Sequence, residues 1–161
     1  MHDLRAIGRG FALPGEFVAA APLGRGHIHE TYLVTYADGG RTRRYVHQRF
    51  NRRVFADPQA VMENIERVLA HLQRKLGPAD GAERRVLRLI HARDGAPLWR
   101  DEAGECWRTY HHIEGSRGVE VADSPRLVRE AARAFGAFQR ELRDLPPPRL
   151  HETIPRFHDT P

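Results

Sequence analysis

Gly24 and Gly26, separated by one residue, are the first residues of this chain whose type and spacing suit a chemical role. Without side chains, glycines let backbone N–H groups approach an anion closely, so a Gly-x-Gly loop is a candidate holder of phosphate. His27 and Ile28 complete the loop, and His27-Ile28-His29 sets two imidazoles two residues apart. A metal centre needs a third ligand in fixed geometry, so this pair reads as part of a solvated loop and no metal site is assigned. His111-His112 is a poor chelating pair, because adjacent strand residues point to opposite faces. Cys106 is the single cysteine, so no internal disulfide forms, and without a catalytic setting it reads as a core residue. That usage fits a reducing, cytoplasmic compartment.

Charge opens a second chemistry. The chain of 161 residues carries a net charge of +5, and Lys75 is the sole lysine among its 26 basic residues. Arginines are densest from Arg41 to Arg53, which raises the possibility of a basic RNA-binding module. No RNP, zinc-finger or helix-turn-helix pattern accompanies them, so an arginine-rich solvated surface is the simpler reading and nucleic acid is not expected as a partner. No apolar run approaches the roughly 20 residues that span a bilayer, and no membrane partner is expected. The start lacks a long apolar segment, so no signal peptide is expected.

The elements that must position these residues follow from punctuation and period. Leu4, Ile7 and Phe11 suggest a short opening helix. Phe17 to Leu23 reads as a strand, the glycine loop follows, and Thr31 to Tyr36 is β-branched and aromatic, a second strand. Asp38-Gly39-Gly40 turns the chain into a third strand, Arg43 to Phe50. Asp57-Pro58 opens a helix whose stripe is Val61, Ile65, Val68, Leu69, Leu72 and Leu76, ended by Gly77-Pro78. Val86 to Ala92 and Cys106 to Ile113 read as strands, with a brief one at Leu98-Trp99. Ser124-Pro125 starts a second long helix with the stripe Leu127, Val128, Ala131, Phe135, Phe138 and Leu142, where Phe135 and Phe138 are expected in the core. Pro146-Pro147-Pro148 stops it.

The order of elements sharpens the glycine loop. Walker and Rossmann loops run from a strand into a helix, whereas this one runs into a strand and lacks the Lys-Ser/Thr ending. A glycine loop inside a hairpin, followed by a third strand and then a helix, is the kinase arrangement. The alternative is a plain hairpin loop.

Several segments together resemble the aminoglycoside-phosphotransferase-like kinases, and within them the N-acetylhexosamine 1-kinases. They are Gly24 to Tyr32, Tyr45 to Asn51, Val54 to Pro58 with Val61 to Ile65, Trp107 to Tyr110 with Ile113 to Gly115, Phe135 to Gln139, and Ile154 to Asp159. They occur in the family's order over nearly the whole chain. His29 and Glu30 stand where the family usually has Asn and Asp, His47 where it has Leu, and Phe50 where it has Ile.

The resemblance implies an α+β fold: a protein-kinase-like N-terminal lobe, about five antiparallel strands plus one helix, followed by the first helix of a truncated C-terminal lobe. Residues 1–115 would be the nucleotide-binding lobe and 116–161 a linker with the start of the helical lobe. The implied reaction is transfer of the ATP γ-phosphoryl group to a sugar hydroxyl with Mg²⁺, so the partners would be a nucleotide and a sugar acceptor. Gly24 and Gly26 would cover the phosphates, Val46 would lie against the base, the backbone of Tyr110, His111, His112 and Ile113 would bind the adenine edge, and His27, Ile28, Gln48 and Asn64 would be further nucleotide-binding residues. The family's catalytic and metal-binding carboxylates lie in the helical lobe. No H-x-D loop or D-F-G-like motif occurs here, and His158-Asp159 is not one, so no catalytic residue is assigned and the chain alone is expected to be inactive. A non-catalytic nucleotide- or protein-binding lobe is the other reading.

Kinases place a lysine on the third strand, and Lys75 lies on a helix instead. Gln48 and Arg49 are the candidates to replace it. Alternation groups Val46, Gln48 and Phe50 on one face and Tyr45, His47 and Arg49 on the other, which selects Gln48 for the cleft; Gln brings no charge, so Arg49 stays the electrostatic alternative. On the helix, Asn64 borders the apolar stripe and Glu63 lies opposite it. Gln48 and Asn64 are therefore expected close together in the cleft, with Arg49 and Glu63 pointing away.

Overall fold

The computed structural model describes residues 2–24, 28–77, 84–119 and 121–157. Within them run α1 (Leu4–Arg9), β1 (Glu16–Pro22), β2 (Glu30–Asp38), β3 (Arg41–Arg49), α2 (Pro58–Leu76), β4 (Leu89–Ile90), β5 (Trp99–Arg100), β6 (Cys106–His111) and α3 (Pro125–Leu142). The fold is α+β, built on one antiparallel sheet in the order β1-β2-β3-β6-β4, with β5 pairing to β6. The strand expected over Val86–Ala92 shortens to two residues because its end is taken by the opening segment: Ala92 bridges to Phe11, and Arg93 N–H donates to the Gly10 carbonyl.

Local chemistry accounts for the helix starts. The Asp57 carboxylate accepts from the N–H groups of Gln59 and Ala60 at 3.0 and 3.1 Å, and Pro58 occupies the first helical turn. Ser124 Oγ accepts from Leu127 N–H at 3.3 Å at the head of α3. Asp3 caps α1 in the same way.

The sheet has two unlike faces. On one, Tyr45 and His47 of β3 and Trp107 and Thr109 of β6 are fully buried under α1, with Ile7 and Phe11 from the opening segment completing that core. Gly8 sits where α1 meets the sheet; a β-carbon there would fall 1.8 Å from the Tyr36 hydroxyl, so only glycine allows the approach. The other face carries Val46, Gln48, Arg108 and Tyr110. At its end α2 packs Val61 and Met62 against Phe50, Cys106 and Leu98. Cys106 is buried as a small core residue. Met62 is fully buried although it lies outside the stripe read from the sequence, because α2 also meets the residues that follow β3.

One flank of α2 holds the chain that follows α3. Arg67 donates to the carbonyls of Pro146 and Pro148, His71 meets the Glu141 carbonyl at 3.0 Å, and Lys75 reaches Asp144 at 2.6 Å and the Glu141 carbonyl at 2.8 Å. Asn64 continues this row, since residues 64, 67, 71 and 75 recur at helical spacing. The apolar stripe of α3 has no such cover. Phe135 and Phe138 are 71% and 44% exposed rather than in the core: the hydrogen bonds that tie α3 to α2 lie at its C-terminal end, and no residue of α3 is buried.

Candidate functional site

Strand register assembles the site. Leu33, Val46, Tyr110 and Leu89 stand opposite one another across four strands, and Thr31, Gln48 and Arg108 form the next row. Paired residues of antiparallel strands share a face, so an apolar row lies beside a polar one. In the polar row, Gln48 Oε1 accepts from Arg108 Nε at 2.9 Å and from a terminal guanidinium nitrogen at 2.6 Å. Gln48 Nε2 donates to Thr31 Oγ1 at 2.9 Å, which fixes the orientation of the amide. The Arg108 guanidinium lies over the Phe50 ring at 4.7 Å and near the Tyr110 ring at 5.4 Å.

The expected face is therefore observed: Val46 and Gln48 share it with Arg108 and Tyr110, while Arg49 points to the other side and pairs with Glu30 and Glu105. The expected Gln48–Asn64 contact does not form. The Asn64 amide donates to the His151 carbonyl and accepts from the His151 N–H, both at 2.9 Å, and this complete pairing turns it to the flank that holds the chain after α3. Glu63 faces outward and accepts from the His151 ring at 2.7 Å. Arg108 was missed. Period-two alternation along β6 would have found it, as the one charge on the face of Cys106 and Tyr110.

Gly24 opens the loop between β1 and β2 at φ +73. Gly26 and His27 lie outside the described residues. Ile28 is half exposed, and His29 anchors the return of the chain. The His29 ring stacks on Phe55 at 5.2 Å and meets Phe50 edge-on at 5.5 Å. His29 Nδ1 accepts from the Asn51 N–H at 3.2 Å, so the neutral ring carries its proton on Nε2. Burial first, and the Arg108 charge second, hold the His29 imidazole below its ordinary range. Glu30 is held below the usual carboxylate range chiefly by its bond from Arg49, and it also accepts from the Tyr32 hydroxyl.

The segment after β6 is tied at both flanks. His111 N–H donates to the Arg88 carbonyl at 2.9 Å and His112 N–H to the Arg44 carbonyl at 3.1 Å. Arg44 pairs with Glu114, and Arg84 donates to the Glu114 carbonyl at 2.8 Å. A cavity of about 270 Å³ opens here, lined by Arg84, Arg88, His111, His112, Ile113 and Glu114. With the 111 and 112 N–H groups engaged, Ile113 is the member of Tyr110–Ile113 whose N–H meets no carbonyl of the described residues.

No group of three His, Cys, Asp or Glu side chains suited to a metal occurs among the described residues. The nearby carboxylates Glu30, Glu105 and Glu114 are bound to arginines, so the residues present do not fit a Mg²⁺ site. The same pairs, with Arg43–Asp38, neutralise much of the arginine-rich third strand. Among the described residues no helix is long and apolar enough to cross a membrane.

No family model matches the sequence. Among solved structures, the chain is similar to spectinomycin phosphotransferase, APH(9)-Ia, solved in complex with ADP and spectinomycin, at 12% identity and a TM-score of 0.50. The similarity covers 83% of this chain and 35% of that one, so the chain spans about a third of the phosphotransferase. The chain thus has the α+β fold of a kinase-like N-terminal lobe, shared with an aminoglycoside phosphotransferase.

Proposed function

We propose that this chain is the nucleotide-binding part of an ATP-dependent phosphotransferase acting on a small hydroxylated acceptor, a sugar of the N-acetylhexosamine type. Residues 1–115 form the nucleotide lobe, and 116–161 lead into a helical lobe that supplies the base and the Mg²⁺ ligands. The observation that carries the reading is the sheet face itself: an apolar row of Leu33, Val46, Tyr110 and Leu89, a guanidinium in the next row, and Gly24 at positive φ just after β1. In this arrangement Val46 lies against the base, Ile113 N–H meets the adenine edge, and Gly24 and Gly26 cover the phosphates. Phosphoryl transfer rests on positioning and charge stabilisation, which such a lobe supplies in part. The buried free thiol of Cys106 is compatible with a cytoplasmic setting.

Calorimetric titration with ATP tests the reading. The wild-type chain is expected to bind ATP without phosphorylating N-acetylhexosamine. Gly24→Val should weaken binding about tenfold, because a β-branched residue at φ +73 carries strain of about 1–3 kcal/mol and reshapes the loop. Equal binding by both proteins removes the phosphate-loop assignment. Sugar phosphate formed by the pure chain would place the catalytic groups within these residues.

A further inference from the structure

Arg108 differs from the ion-paired arginines of β3, and from Arg41 at its start, which is exposed and without an ion pair among the described residues. Arg43, Arg44 and Arg49 each pair with a carboxylate: Asp38, Glu114, and Glu30 with Glu105 respectively. Among the described residues no carboxylate pairs with Arg108. Its guanidinium meets the neutral amide oxygen of Gln48 and two aromatic faces, and it is largely withdrawn from water. Guanidinium stays protonated in proteins, and a withdrawn charge without a counter-ion is costly. The hydrogen bonds it donates to Gln48, with the flanking rings, fix its orientation and leave the charge uncompensated.

We infer that Arg108 is the anion-binding cation of this face, placed by Gln48 to receive phosphate groups of the nucleotide. The inference rests on the nucleotide reading above and adds to it a division of labour between strands. The third strand supplies a neutral positioning residue, Gln48, and the charge comes from β6, directly across the register. The Gln48 amide is anchored in turn by Thr31, at the root of the glycine loop.

Tripolyphosphate and adenosine, titrated separately, test this with three proteins. Arg108→Met keeps an unbranched apolar side chain beside Phe50 and Tyr110 and removes the charge. Gln48→Glu puts a carboxylate where the amide oxygen now accepts both bonds, neutralising the guanidinium from within. Both are expected to lower tripolyphosphate affinity about 10- to 100-fold, with adenosine binding unchanged. Gln48→Glu should melt no lower than wild type, which separates lost anion binding from lost folding. If wild type and both variants bind tripolyphosphate equally, or wild type binds none, the assignment of Arg108 is overturned. Tripolyphosphate binding that needs Arg108, with no adenosine binding, would keep the anion site and overturn the nucleotide reading.

Discussion

Replacing Trp107 with alanine is expected to lower the unfolding free energy by about 4 kcal/mol, the range for a large aromatic lost from a packed core. Trp107 has no exposure. Its ring meets His2 edge-on at 5.0 Å and Tyr32 at 6.2 Å, and its Nε1 donates to Asp101 at 2.9 Å. Truncation opens a void between the sheet and the opening segment and leaves the Asp101 carboxylate without that donor. A domain of this size has about 5–15 kcal/mol in total, so the variant would be near its limit. Urea unfolding gives the check: the midpoint should fall with little change in slope, and melting should drop by roughly 8–16 °C. Trp107→Phe should recover much of the loss, since it refills most of the volume. A loss below about 1 kcal/mol for the alanine variant would mean that this core closes around the gap.

Acid is expected to weaken the fold through His47. This imidazole is fully buried, stacks on Phe11 at 5.7 Å, and bonds Thr109 Oγ1 through Nδ1 at 2.8 Å, while its Nε2 has no partner among the described residues. Burial drives its pKa from 6.5 down to about 4. The unfolded chain therefore takes up the proton first as pH falls. Stability is complete above pH 6.5 and is lost progressively between 6.5 and about 4. At about 1.4 kcal/mol per pH unit, the His47 contribution over that window is about 3 kcal/mol. His29 and His111, both held low mainly by burial, act in the same direction, so the test is a difference. Stability of wild type and His47→Gln is measured by urea unfolding from pH 7 to pH 4. The variant should lose less on acidification. Parallel curves would rule His47 out.

Much of the architecture was legible because its signals are local. Asp57-Pro58 and Ser124-Pro125 mark helix starts through hydrogen bonds made within a few residues, and both caps form as read. Alternation along β3 separated Gln48 from Arg49 correctly, since period two is a property of one strand. What escaped depends on partners distant in sequence. Gln48 and Arg108 are sixty positions apart, and Asn64 and His151 eighty-seven. Nothing in the helical wheel of α2 shows that a later backbone segment claims the Asn64 amide. The exposed Phe135 and Phe138 follow the same logic: the period marks an apolar face, and only the packing shows what covers it.

The opening segment has a consequence for synthesis. Phe11 contacts Ala92 through a backbone bridge and shares its core with Trp107. At about 5–20 residues per second, the interval between making Phe11 and making Trp107 is roughly 5–20 s. During that time α1 has no finished sheet to cover, and the β2–β3 hairpin waits with Tyr36 and Tyr45 uncovered on that side. The opening segment, made before the strands it covers, is thus among the last parts to be sheltered, and a nascent chain halted before β6 would display an apolar, strand-rich surface of the kind holdase chaperones bind.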